Sequence, residues 1–174
     1  NMEQVDQILA PGGAAEVFLE AREQGKVRFL GFSAHSAEAA LAIMDRFEFD
    51  SVLFPVNYVC YSSGGFGPQV LKRAKEKGVA RLALKALAYS KGKEETYSKC
   101  WYRPVDERVL AHLALRFTLS EDVTSAIPPG DERIYRMALD LAGDLNPLTA
   151  TEREVLLASA REVQPIFRVE SGTG

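Results

Sequence analysis

The sequence predicts an α/β fold built on a parallel sheet of four strands, and three observations carry that expectation. Apolar, strand-like runs occur at 27–33, 51–57, 79–85 and 122–127, each separated from the next by a stretch of helical periodicity. Strands that alternate with helices imply parallel pairing through right-handed crossovers. The segments AREQG at 21–25 and AKEKG at 74–78 are near copies, each followed at once by a strand. This is the pattern of a repeated helix–strand unit, although helix ends in general share it.

Each element has a local reason. Pro11, Gly12 and Gly13 open a helix that runs to about Gln24, with Ala14, Val17, Phe18 and Ala21 at helical spacing. Gly25 stops it by taking a left-handed conformation. After the strand at 27–33, Ser36 caps a helix that carries Ala40, Ile43 and Met44 on one face and ends near Phe47. The second strand, SVLFPVN at 51–57, is almost continuously apolar, as expected for a strand covered on both faces. Pro55 has no N–H and belongs late in that strand or on an edge. A Gly/Ser loop at 61–67 leads into a helix at 68–77, stopped by Gly78, and then the third strand at 79–85. Residues 86–102 read as a long polar connection in which Trp101 pins the loop to the body. A helix at 105–117, the fourth strand at 122–127 and a PPG turn at 128–130 follow. Two helices complete the chain, at 131–142 and 151–163. The last has two capping boxes of the right spacing, Thr149 with Glu152 and Thr151 with Glu154. The four strand centres fall near Phe29, Phe54, Leu82 and Ser125.

Four strands in 174 residues are too few for a closed eight-stranded TIM (β/α)8 barrel, which typically takes ~250 residues. The expectation is half of such a barrel, or a small open sheet, as a single domain over 1–174. A receiver- or flavodoxin-like domain would need another strand before Pro11, where the chain is too short. Half a barrel has unpaired backbone at its two outer strands, around 27–30 and 123–127, and such edges template further pairing. Its inner face, expected to carry Phe29, Phe54 and Leu82, would expose an apolar patch that monomers rarely tolerate. A two-fold homodimer is the commonest closed answer. The alternative is cover from within, by the C-terminal helix from Thr151 or by the segment around Trp101.

Composition narrows the classes of function. The chain is 47% hydrophobic and 26% charged, with a net charge of −3 and its basic and acidic residues interspersed. That argues against a nucleic-acid surface. No apolar run approaches the ~18 residues of a membrane span, and no signal-peptide pattern opens the sequence. Cys60 and Cys100 are far apart and read as free thiols of a cytoplasmic protein. Asn1 ahead of Met2 reads as a tag remnant, with Met2 as a start.

The most informative stretch is GKVRFLGFSAHS at 25–36: a helix end, a buried strand and a polar turn at the strand's C-terminal end. Ligands of parallel α/β proteins sit at such ends. Together with FDSVLFPVN at 49–57, AKEKGVARLALKAL at 74–87 and SAIPPG at 125–130, it resembles the C-terminal half of the aldo-keto reductases in order and spacing. The resemblance implies strands five to eight of the barrel and most of a site for NADP(H). It places Ser33 at the nicotinamide carboxamide, with His35 in the same turn and Asn57 nearby. It brings Lys85 to the pyrophosphate, and Pro128, Gly130 and either Arg133 or Arg136 to the ribose phosphate. Helix N-termini favour anions, although Asp131 and Glu132 partly oppose that here. Ala34 stands where the family often has Asn, Leu53 or Phe54 where it commonly has Gln, and Leu84 and Lys85 where an aromatic commonly stacks. The family's Tyr general acid and its Lys, Asp and His assistants belong to early strands without a counterpart here. Tyr58, His35 and Lys85 do not match those positions. The resemblance therefore implies a cofactor-binding half without a catalytic residue, inactive alone. It would be completed by a partner chain, as one half of a split enzyme, or exist as a non-enzymatic self-associating half-barrel. His112, mid-helix, reads as structural.

Overall fold

The computed structural model describes residues 1–92 and 95–169. Among these lie six strands: β1 (Gly31–Ser33), β2 (Ser51–Pro55), β3 (Ala80–Leu84), β4 (Ala88–Lys91), β5 (Tyr102–Pro104) and β6 (Ser125–Ile127). The α-helices are α1 (Met2–Leu9), α2 (Ala14–Glu23), α3 (Ala37–Arg46), α4 (Tyr58–Ser63), α5 (Pro68–Glu76), α6 (Arg108–Ser120), α7 (Glu132–Leu141) and α8 (Ala150–Arg161). The principal sheet has the order β1-β2-β3-β6, every pair parallel, as the sequence predicts. Gly25 and Gly78 end the helices before β1 and β3 at φ 70° and 71°, in the left-handed region expected of them.

The register fixes the two faces. Phe32 pairs with Val52, Leu53 with Leu82, and Leu82 with Ser125. Side chains alternate along a strand, so Phe32, Val52, Phe54, Ala83 and Ala126 share one face. That face packs on helices: Val52 and Phe54 join Ala40 and Met44 of α3 and Val70 and Ala74 of α5 in one buried cluster. Ser33, Leu53, Leu82, Leu84, Ser125 and Ile127 share the other face. Ser33 and Ser125 are exposed there, and the four apolar residues are only partly buried.

This corrects the expected inner face. Phe54 is 1% exposed on the helix side, one residue out of phase with Leu53 and Leu82. Phe29 is not in the sheet, and β1 is centred on Phe32. The ladder starts late because Leu30 is tied to the entry of β2. Its N–H donates to the Asp50 carboxylate at 2.7 Å, and its carbonyl accepts from the Asp50 and Ser51 N–H groups at 2.7 and 3.3 Å. Residues 27–29 therefore lie upstream of any partner in β2. A Cβ at Gly31 would crowd the Ser51 hydroxyl and, at 3.1 Å, its carbonyl, so the close start of this pairing favours glycine. β6 is likewise shorter than expected. Residues Asp122 and Thr124 are held by Arg81 instead, which donates to the Asp122 carboxylate at 3.0 Å and accepts from the Thr124 N–H at 2.7 Å.

Three elements go beyond the expectation. α1 has a capping box between Asn1 and Gln4. α4 begins where Asn57 Oδ1 accepts from the Cys60 N–H at 2.9 Å, inside the segment read as strand end and loop. β4 and β5 form an antiparallel pair within the polar connection. Of the two capping boxes offered by the sequence, Thr149 with Glu152 forms. α8 packs on α4 and α6, so it does not seal the open face of the sheet. Beyond it the chain returns across the loops. Gln164 accepts from the Lys91 N–H at 3.4 Å, and the Val169 N–H donates to Gly64 at 3.0 Å. Cys60 and Cys100 are both free and buried. Among the described residues no helix is long and apolar enough to cross a membrane.

Candidate functional site at the strand C-terminal ends

In a parallel sheet the C-terminal strand ends converge on one rim, where loops of different strands meet. Ser33 is the last residue of β1 and is exposed on the open face. Two residues on, the His35 ring stacks on Phe167, centroids 5.0 Å apart and planes 19° from parallel. Asn57, just past β2, is fully buried. Its Oδ1 caps α4, and its Nδ2 has no hydrogen-bond partner.

Lys85 follows β3 and is the unusual residue of this rim. It is the one non-glycine residue at positive φ among the described residues, at 64°. Such backbone costs of order 1–3 kcal/mol and persists only where its surroundings enforce it. Lys85 is 6% exposed. Its Nζ donates to His35 Nε2 at 3.2 Å and lies 5.4 Å from the Trp101 ring centre and 5.8 Å from that of Phe167. Among the described residues no carboxylate pairs with it. Burial lowers its pKa, against a smaller opposite influence of Cys60. His35 is lowered by burial first and by the Lys85 charge second. Burial raises the Cys60 thiol, offset in part by hydrogen bonding from the Phe167 and Ile166 backbone.

The structure thus brings His35 and Lys85 together and places Ser33 and Asn57 on the neighbouring strand ends. The loop after β6 is separate in character. Pro128 is half-buried and Gly130 exposed. Asp131 caps α7, and Arg133 donates to it through Nε at 3.0 Å and a terminal nitrogen at 2.9 Å. Arg133 also donates to the Thr96 carbonyl and lies over the Tyr97 ring. Arg133 holds the Asp131 carboxyl below its ordinary range. Arg136 donates to Glu132 at 2.7 Å on the exposed side of α7. Both arginines are therefore paired within their own helix, and a carboxylate occupies the helix cap. As folded, this donor set does not suit a phosphate group, nor is the enclosed Lys85 open to a pyrophosphate.

Sequence reading missed Phe167 and Cys60 as members of the rim. Phe167 comes from a stretch without periodicity, and Cys60 carries no neighbouring motif. Trp101, expected to pin its loop to the body, is instead 53% exposed and meets its neighbour Tyr102 and Phe167 of the C-terminal segment edge-on. His112 is structural, its Nε2 2.5 Å from the Asp144 carbonyl. Among the described residues no group of acidic, His and Cys side chains could hold a metal ion.

No protein-family profile matches the chain, and none of the curated proteins does. Solved structures do. An aldo-keto reductase from Bacillus halodurans matches at a TM-score of 0.55 and 16% identity, over 91% of this chain and 58% of its own. The fold is that of a partial aldo-keto reductase barrel. Aldose reductases from Giardia lamblia and Schistosoma japonicum agree, at TM-scores of 0.60 and 0.57 and identities of 10% and 14%. They are covered over 51% and 48% of their lengths. The chain thus spans about half the length of these aldo-keto reductases. On that frame, the unlayered face of the sheet is the side that a full barrel turns inward.

Proposed function

We propose that this chain is the C-terminal half of an aldo-keto-reductase-like barrel, strands five to eight, and that a second half-barrel closes over its open face. The observation behind this is the face itself. Leu53, Leu82, Leu84 and Ile127 are partly exposed on one side of a parallel sheet, and among the described residues β1 and β6 each leave one edge without a partner strand. The sequence motifs at 25–36 and 125–130 favour the C-terminal half. A second copy of this chain is the first occupant to test; a complementary chain carrying the early strands is the other.

Alone, the chain is a non-catalytic half, because the family's proton donor and its assistants have no counterpart in it. NADP(H) is the ligand class that the family likeness suggests, with Ser33, His35, Asn57 and Lys85 on one side and Pro128, Gly130, Arg133 and Arg136 on the other. In the present arrangement Lys85 and the two arginines are already engaged, so binding requires the segment around Phe167 and the Arg133–Asp131 pair to yield. Light scattering tests the assembly, with a dimer or larger as the expected result. A monomer at micromolar concentration overturns it. Calorimetric titration with NADPH tests the ligand, and the absence of heat at millimolar NADPH from a folded sample removes that part.

A further inference from the structure

We propose that Lys85 is a carbonyl-trapping amine that forms an imine with a small aldehyde or 2-oxo acid, with Phe167 as the lid over it. This rests on the enclosure of Nζ and does not depend on NADP(H) or on closure of the barrel.

Lysine amines become nucleophiles when an apolar pocket strips their water and leaves them without a carboxylate partner. Lys85 meets each condition. It is 6% exposed, and among the described residues no acidic group faces Nζ. The groups around it are the His35 imidazole, the Trp101 and Phe167 rings and the Cys60 thiol. The left-handed backbone at Lys85 holds the residue in a conformation that an ordinary surface lysine has no reason to adopt. Burial also lowers its pKa, which raises the share of neutral amine.

His35 supplies the proton path. Its Nε2 is 3.2 Å from Nζ, and its ring also lines a cavity of about 360 Å³ bounded by Ser36, Phe66, Arg168 and Val169. Phe167 stacks on both His35 and Phe66, two residues that line this cavity, so its displacement would open Nζ to a carbonyl compound held there. Arg168 and Glu38 are both exposed and both line the cavity; Arg168 supplies the positive charge for the carboxylate of a 2-oxo acid, and Glu38 favours an uncharged aldehyde instead. The neutral Nζ attacks the carbonyl carbon, a C–N bond forms, and the C=O π pair moves to oxygen. His35 carries one nitrogen proton to that oxygen, giving the carbinolamine, and then carries the second nitrogen proton to the resulting hydroxyl as the nitrogen lone pair expels it. Water leaves and a C=N bond remains, with no change of oxidation state.

The test uses the full chain, glyoxylate as the probe, and cyanoborohydride to fix the imine, followed by peptide mapping. At neutral pH, Lys85 should be modified ~10-fold faster than exposed Lys26 and Lys72, because its enclosure leaves more of the amine neutral. Phe167→Ala, and the milder Phe167→Leu should the first variant fail to fold, should speed the reaction at Lys85 and leave Lys26 and Lys72 unchanged. His35→Gln should slow imine formation at Lys85 and flatten its pH profile. Modification of Lys85 no faster than of Lys26 and Lys72, in both the parent and a folded Phe167 variant, overturns the proposal.

Discussion

On the helix side of the sheet, Val52 is 0% exposed and Phe54 1%. One residue along the same strands, Leu53 and Leu82 are partly open. Strand, register and residue type barely differ between the two sets; only the covering differs. The helix side meets α3 and α5, whose Ala40, Met44, Val70 and Ala74 are sealed against it. Among the described residues, no buried helix cluster covers the other side. Apolar character along β2 and β3 therefore does not report burial, and parity along the strand decides which residue stabilises the monomer and which is left for a partner.

The largest expected effect is on the sealed side. Phe54→Ala should destabilise the monomer by ~3–5 kcal/mol, since the ring leaves a cavity that the neighbouring Phe66, 4.8 Å away centroid to centroid, cannot fill. Denaturant unfolding measures it. Next comes alkaline pH. Burial raises the Tyr58 and Tyr61 phenols to about 12 from an ordinary 10.0 and pushes Tyr102 up as well. A raised phenol favours the folded state below pH 10, and that contribution is lost as pH climbs from 10 to about 12. For Tyr58 the loss is ~2–3 kcal/mol. Absorbance of phenolate and circular dichroism, recorded over the same titration, should report ionisation and unfolding together; early ionisation without unfolding would contradict the buried placement.

On the acid side the Arg116–Glu152 pair gives a specific test. Arg116 donates to both Glu152 oxygens at 2.7 and 3.0 Å, and Glu152 also receives the Thr149 N–H. Glu152 is thereby lowered to about 2 from 4.5. A depressed carboxyl stabilises the fold above pH 4.5 and loses that contribution as pH falls toward 2. Glu152→Gln should therefore lower the melting temperature at pH 7 and shrink the parent's loss between pH 4.5 and 2. An unchanged acid profile in this variant would remove the pair from the account.

On the open side, Leu82→Ala should cost the monomer less than ~1 kcal/mol, and Leu82→Lys should dissolve any assembly with the circular dichroism unchanged. A Leu82→Ala penalty as large as that of Phe54→Ala would show the open side to be covered in solution. The smallest effect belongs to Phe29, 69% exposed upstream of β1, where Phe29→Ser should stay within ~0.5 kcal/mol.

The order and sense of the four principal strands were legible because each is a compact apolar run, bounded by glycine or proline. The start of β1 was not, because it is set by Asp50, twenty residues away. The β4–β5 pair was not either: its strands are short and polar, and only mutual pairing makes them strands. At the rim, Ser33, His35 and Lys85 could be placed by position after apolar runs. The pairing of Arg133 with Asp131 and of Arg136 with Glu132 was readable in principle from spacings of two and four. Phe167 had no local signal, since its role is defined by side chains from three distant loops.

The segment carrying Phe167 also has a consequence in time. Because the principal sheet grows in chain order, a chain emerging from the ribosome can add each strand to the one before it. The enclosure of Lys85 cannot be completed in that way. Residues 35, 66, 85 and 101 are all synthesised well before residue 167 arrives to stack on them. During that interval the amine lacks the Phe167 ring over it, so the rim takes its final chemistry only after the sheet beneath it has formed.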